Sequence, residues 1–346
     1  MHSVLLLDKE ELFNHYVSTH PCGDVLQTTW WGRLKSTSGW GYLPLGVMEN
    51  GALQATALIL IKRLPLNRTL LYSPRGPLYS NEDALLTLLH AGKDLAKKEK
   101  ALVWKMDPAI ARDDDQWMTF VEKQKLKQVD AGLDFDGVQP RFVMTLNLHS
   151  SLENLLKDMK SKTRYNIRYA KRQGVDVRSA KNKADLMVFY DLLQETALRD
   201  NFTIRPLSYF EAMWEYLVEN QLAQLFLAYF EDIPLAGAIA FRLGKTVWYV
   251  YGASSNQKRN LQAPHLIQWE MIKWAKSRGC SVYDFRGVSG DLSPENPLYG
   301  LYRFKEGFGA QLREYVGEFD LPLSRGGYGL WQGGLALHNR IRNRKK

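Results

Sequence analysis

Five cations recur at helical spacing near the middle of the chain: Lys157, Lys160, Arg164, Arg168 and Lys171. Steps of three and four put them on one face of a helix read from residue 152 to its stop at Gly174. They run one residue along from an apolar stripe of Leu152, Leu156, Met159, Thr163, Ile167 and Ala170. From Lys157 to Arg172 there are seven cations and one acid, Asp158. Like charges on one face repel, and a polyanion would relieve the repulsion. A solvated surface helix is the plainer alternative. Other chemistries find no footing. The seven histidines show no His-x-x-x-His spacing, so no metal site is expected. Cys22 and Cys280 make neither a disulfide framework nor a Cys-x-x-Cys pair, which suits a reducing compartment.

The elements that must position these cations fit a chain of 346 residues, a length typical of two domains. Hydrophobic residues make up 45% of it, enough for two cores. Lys and Arg number 46 against 37 Asp and Glu, giving +9, which suits a nucleic acid, a phosphorylated small molecule or an anionic membrane surface. The N-terminal apolar run is too short for a signal peptide, and no run approaches the roughly 18–20 apolar residues needed to span a bilayer. A cytoplasmic location is expected.

Strands are read at residues 55–61, 69–72 and 101–106, with a helix at 81–98, and the strand at 101–106 ends at Asp107-Pro108. The second half repeats the order: strands at 222–230, 235–243 and 246–251, a helix at 264–278, and a strand ending at Asp284. Hairpin, helix, strand and acid occur twice, which points to two copies of one α/β unit.

Several segments together resemble the Fem family of non-ribosomal peptidyl transferases, which build peptidoglycan cross-bridges. They are Trp31-Gly32-Arg33-Leu34-Lys35, Ser73-Pro74-Arg75-Gly76-Pro77, Lys162-Thr163-Arg164-Tyr165-Asn166-Ile167-Arg168, Tyr249-Val250-Tyr251-Gly252-Ala253, Tyr283-Asp284-Phe285-Arg286-Gly287 and Gly300-Leu301-Tyr302-Arg303-Phe304-Lys305-Glu306-Gly307. The resemblance runs over nearly the whole chain. It implies an α/β (α+β) fold of two tandem GNAT-like acyltransferase domains. No long heptad stretch is present, so the compact FemX type without a coiled-coil arm is expected. The implied domains are residues 1–147 with about 318–346, for precursor binding, and 148–317, for the tRNA side and the Phe-Lys motif.

The resemblance further implies that an amine on the diamino acid of a peptidoglycan stem peptide attacks the ester of an aminoacyl-tRNA. The amino acid would be glycine, alanine or serine, and the acceptor UDP-MurNAc-pentapeptide or lipid II. No cofactor is expected, since the aminoacyl-tRNA is a co-substrate, and a monomer is expected. By family match Lys305 would stabilise the oxyanion or leaving oxygen, Phe304 would offer a flat face to substrate, and Asp107 is a candidate to take the amine's proton. Lys35, Thr203, Arg205, Tyr209 and Tyr251 would bind the precursor, chiefly its diphosphate. The helix cations would bind tRNA. Two alternatives compete: an acyl-CoA-dependent N-acyltransferase and a non-catalytic RNA-binding relative. Against the first, residues 257–263 lack the glycine of the acetyltransferase pyrophosphate loop.

Overall fold

Unbroken burial, rather than alternation, marks the central strands of the computed structural model. Residues 55–60 and 235–241 are buried at every position, which requires both faces of each strand to be covered. The structure describes residues 1–130, 132–135, 137–323, 326–329 and 331–334. It divides into unit 1, formed by Met1–Gly132, Asp136–Gln139 and Tyr315–Lys346, and unit 2, formed by Leu133–Phe135 and Pro140–Glu314. Of the C-terminal stretch 318–346 expected in the first domain, residues 324, 325, 330 and 335–346 lie outside the described residues.

Unit 1 contains β1 (His2–Leu5), α1 (Glu10–Thr19), α2 (Thr29–Ser36), β2 (Trp40–Glu49), β3 (Ala52–Leu64), β4 (Arg68–Ser73), β5 (Leu78–Tyr79), α3 (Glu82–Lys98), β6 (Ala101–Met106), α4 (Asp115–Gln124) and β7 (Lys127–Val129). Unit 2 contains β8 (Phe142–Asn147), α5 (Leu152–Asp158), α6 (Ser161–Arg172), β9 (Asp176–Ser179), α7 (Lys183–Asp200), α8 (Leu207–Met213), β10 (Ala223–Phe230), β11 (Ile233–Leu243), β12 (Thr246–Ser254), α9 (Ala263–Ser277), β13 (Val282–Gly287), α10 (Tyr299–Glu306) and β14 (Gln311–Glu314). The last strand, β15 (Glu318–Pro322), joins the sheet of unit 1.

The two sheets have the same plan. Their orders are β1-β2-β3-β4-β6-β15-β7, with β5 on β3, and β9-β10-β11-β12-β13-β8-β14. Each begins with three antiparallel pairings, has one parallel pairing (β4 with β6, β12 with β13), and ends with two antiparallel ones. The coarse repeat read from the sequence is therefore real. One detail of it is corrected. Asp107 follows the last residue of β6, but Asp284 lies inside β13, opposite Trp248 at the last parallel pair. The two acids are not equivalent positions. The longest described helix, α7, has 18 residues, so no long coiled-coil arm is present among the described residues.

Local chemistry fixes the element ends. Asn81 caps α3 by accepting from the Ala84 amide, with Glu82 and Asp83 in the first turn and Lys97 and Lys98 in the last, as the helix dipole favours. Asn182 and Asp185 form a capping box on α7. The helix expected from residue 152 onward is two helices, because Met159 and Lys160 are extended (ψ 152° and 142°). The break is held from both sides. The Lys160 amide bonds Gly307 O at 2.9 Å, and Arg164 Nη1 reaches back to Lys157 O and Met159 O at 2.6 and 2.9 Å. The five cations are thus not one stripe: Lys157 is on α5, Lys160 immediately precedes α6, and only Arg164, Arg168 and Lys171 lie along α6.

Strand β15 is pinned by charge. Lys105 on β6 is buried with Nζ 2.9 Å from Glu318 and 3.1 Å from Asp320, both on β15 and both buried. Asp320 is the direct cross-strand partner of Lys105. Removing the cation would leave two acids facing each other without water. Lys105→Met is therefore expected to lower stability by about 3–5 kcal/mol, read from urea unfolding. A loss below about 1 kcal/mol, the scale of an exposed pair, would contradict this.

Candidate active site

Lys305 is the first residue the fold makes unusual. It lies on α10 and is 3% exposed. Its Nζ donates to the carbonyl oxygens of Gly287, at 2.6 Å, and Arg286, at 3.3 Å. The sheet explains why carbonyls are available there. Strand β13 pairs with β12 only at residues 282–284, after which the two part, and its register against β8 slips between Asp284 and Gly287. The end of the ladder is where a side-chain donor meets these carbonyls. Burial pulls the Lys305 ammonium down to about 7, with Asp284 pulling upward and Arg286 adding to the fall. An amine near neutrality in a dry setting can be a cation for a developing oxyanion or can exchange a proton at physiological pH.

Phe304, beside it, is half-buried. Its ring stands edge-on to His265 (centroids 5.1 Å apart) and to Phe308 (5.2 Å). It lines a cleft of about 520 Å³ at the N-terminus of α9, together with Ser254, Ser255, Lys258, Arg259 and His265. This is the stretch without glycine. The left-handed backbone that glycine would favour is taken instead by Lys258 (φ 45°) and Gln262 (φ 58°). The loop keeps its cleft, so the missing glycine excludes a phosphate-bearing donor less firmly than expected. His265 is drawn down to about 4 by burial, with Lys162 contributing, so the ring is neutral at physiological pH.

Strand β12 carries a bulge. Tyr251 pairs with Ile239 and Tyr249 with Ala240, leaving Val250 extra. Residues two apart on a regular strand share a face. The bulge separates them. Tyr249 hydrogen-bonds Gln268 on α9, while Tyr251 hydrogen-bonds Tyr209 on α8. Phe210 meets the Tyr251 ring edge-on at 5.2 Å, and the Arg205 guanidinium lies 5.1 Å from the Tyr209 ring centroid. Thr203 and Arg205 are exposed on the loop between α7 and α8. Arg205, Tyr209 and Tyr251 therefore form one cluster. Arg286 connects it to Lys305, since its charge acts on both Tyr251 and Lys305. Arg286 itself is left-handed (φ 60°), donates its amide to Asp284 at 2.5 Å and lies over the Trp248 ring. Sequence reasoning quoted Arg286 within a motif and gave it no part. His265 was missed altogether, as one histidine among seven without metal-ligand spacing.

Lys35 and Asp107 belong to unit 1. Gly32 lets α2 approach β2, because a Cβ there would come 2.5 Å from the Tyr42 ring. That approach sets Lys35, which is buried with Nζ 5.8 and 5.5 Å from the Trp31 and Trp40 ring centroids. Asp107 is 2% exposed, and burial pushes its carboxyl up to about 7 against the charge of Arg75. Its Oδ2 accepts from Tyr72 and its Oδ1 from the Arg75 amide, each at 2.6 Å. Both oxygens are thus engaged in holding a turn in which Arg75 is left-handed (φ 55°). That arrangement weakens the case for Asp107 as a base. Of the basic residues, Lys160 is paired with Glu306 and Arg164 caps α5, whereas Lys157, Arg168 and Lys171 are exposed. Among the described residues no group of three or more His, Cys, Asp or Glu could hold a metal ion.

The model of the FemAB family matches residues 7–231 and 220–333. A lipid II:glycine glycyltransferase of Staphylococcus epidermidis is 30% identical over 377 aligned positions, covering 90% of each chain. The crystal structure of FemX superposes with a TM-score of 0.89 at 28% identity, over 95% of this chain and 99% of that one. A tandem GNAT protein from the clavulanic acid biosynthesis pathway superposes with a TM-score of 0.54 at 10% identity, over 93% of this chain and 98% of that one, a likeness of fold alone.

The buried ammonium has a stability signature. Lys305 titrates near 7 when folded and near the ordinary lysine value of 10.5 when unfolded. Between those values the unfolded chain binds more protons, so this group's contribution favours folding increasingly as pH rises. The stability difference between wild type and Lys305→Met should therefore move in favour of wild type from pH 7 to pH 10, read by urea unfolding across that range. A difference that stays flat would contradict the burial account.

Proposed function

The chain belongs to the FemAB family, and on that premise we propose that it transfers an aminoacyl group from aminoacyl-tRNA to the stem-peptide amine of a peptidoglycan precursor. It is a transferase of the aminoacyl type with tandem GNAT-like units. Glycine takes first place as the amino acid because the staphylococcal relative is named for it; alanine and serine follow. For the same reason the lipid-linked acceptor stands ahead of the nucleotide-linked one. Among the described residues no helix is long and apolar enough to cross a membrane. Such an acceptor would therefore be met at a membrane surface, on the cytoplasmic side where charged tRNA is found. No further cofactor is required.

The observation that carries the reading is Lys305, a buried ammonium held by two carbonyls and next in the chain to Phe304, which lines the cleft. The neutral amine of the acceptor attacks the ester carbonyl of the donor. The C–N bond forms, charge gathers on the carbonyl oxygen, and the C–O bond to the tRNA ribose breaks. An ammonium already desolvated and fixed by two carbonyls stabilises that charge without reorganising. Phe304 gives the acceptor end of the donor an apolar wall. Arg205, Tyr209 and Tyr251, with Thr203, hold the precursor's diphosphate, and Arg286 adds a cation between that cluster and Lys305; Lys35, in unit 1, is a separate candidate for binding the precursor. Lys157, Lys160, Arg164, Arg168 and Lys171 give the tRNA a basic surface, with Arg168 and Lys171 the best placed. Asp107 is assigned to holding its turn, and the amine's proton passes to solvent or to the departing oxygen.

A second reading, an acyl-CoA donor, draws on the cleft at the N-terminus of α9, a natural phosphate site. One assay separates the two. Wild type with a peptidoglycan precursor, lipid-linked or nucleotide-linked, and mixed aminoacyl-tRNAs should yield a one-residue mass increment. Lys305→Ala should reduce the rate by about 100-fold or more, the effect of removing one oxyanion donor. An increment that needs acyl-CoA and not charged tRNA would establish the second reading. No increment with either donor would favour a non-catalytic RNA-binding role.

A further inference from the structure

Helix α6 has two unlike faces. Thr163, Asn166, Ile167 and Ala170 are buried, and the helix packs on α9. Outward, at steps of three, four and three, run Lys162, Tyr165, Tyr169 and Arg172. These positions fall within one narrow stripe of a helix. Tyr165 is 56% exposed. Its ring stacks on Tyr169 with centroids 5.8 Å apart and planes 20° from parallel, and the Arg172 guanidinium lies 6.0 Å from the Tyr165 centroid. The helix carries five cations and no acid. Two near-parallel rings between cations, Tyr165 exposed and Tyr169 half-buried beneath it, match no requirement of the core. They match what an unpaired nucleic-acid strand needs: flat faces for bases and positive charge for phosphates.

The stripe leads toward the chemistry. On the inner face of α6, Asn166 Nδ2 lies 3.3 Å from His265 Nε2, and His265 meets the Phe304 ring in the cleft. From Lys162 to Arg172 the helix rises about 15 Å, room for roughly four bases stacked about 3.4 Å apart. We propose that Tyr165 and Tyr169 form a stacking platform that takes the unpaired 3′ end of the donor RNA and guides it to the cleft at Phe304. This rests on the reading of tRNA as donor, and gives that partner a specific recognition element: the single strand, not the duplex.

The test uses two uncharged RNA hairpins, one with a four-nucleotide single-stranded 3′ extension and one blunt, in fluorescence anisotropy at fixed salt. Wild type should prefer the extended hairpin. Tyr165→Ala should weaken that hairpin by about tenfold and leave the blunt one unchanged, while Tyr165→Phe, which keeps the aromatic face, should bind like wild type. Equal binding of both hairpins by wild type would overturn the platform alone, as would an equal loss on both in Tyr165→Ala. Binding of neither hairpin by wild type would overturn the donor reading and the platform together.

Discussion

Backbone carbonyls left without a strand on their β12 side set the terms for unit 2. Strands β12 and β13 run parallel for three residue pairs and then part. At the open end of β13, Arg286 adopts a left-handed backbone, and the carbonyls of Arg286 and Gly287 receive the Lys305 ammonium. Without that cation the carbonyls would need other partners in a dry place, and without the carbonyls the cation could not be buried. The same parting lets the bulged end of β12 turn Tyr251 toward Tyr209 and away from α9. A defect in the sheet thus places both the charged centre and the tyrosine cluster.

The parallel pairing recurs in unit 1 with a different use. There β4 and β6 stay paired to their ends, at Ser73 and Met106. The polar residues at and just beyond those ends close on one another: Tyr72 and the Arg75 amide on Asp107, and Lys105 on Glu318 and Asp320. One sheet plan therefore ends once in a splayed, cation-bearing gap and once in a satisfied polar knot. That contrast, rather than residue type, separates Lys305 from Asp107 as a centre for chemistry. Both are buried and both titrate near 7, but Lys305 adjoins in the chain an aromatic residue, Phe304, that lines a cleft.

Much of this was legible in the sequence. The repeat could be read because its elements carry strong local signals: apolar runs for buried strands, Asn81 and the leucines of α3, and Gly174 after α6. The break at Met159 and Lys160 was not legible, since the apolar period runs straight through it. It depends on Gly307 and Arg164, partners far along the chain or across a turn. The position of Asp284 inside β13 was hidden for a similar reason: strand ends follow from pairing, and the pairing slips at that point. Lys305, Phe304 and the precursor cluster came from the family resemblance, not from spacing. Arg286 and His265 escaped because their significance lies in a left-handed backbone and an aromatic contact, which residue type does not announce.

The central claim is that the charged form of Lys305 serves transfer, and single-turnover transfer from preformed aminoacyl-tRNA across pH tests it most directly. The rate should follow the product of protonated Lys305 and neutral acceptor amine, whose ordinary pKa is about 10.4. Wild type should climb with pH to about 7 and then level off, because each gain in neutral amine is matched by loss of the lysine charge. Lys305→Arg, slower but charged throughout, should keep climbing through pH 8 and 9. A wild-type rate that rises unbroken past pH 8, or a break near 7 that survives in the arginine variant, would contradict the assignment.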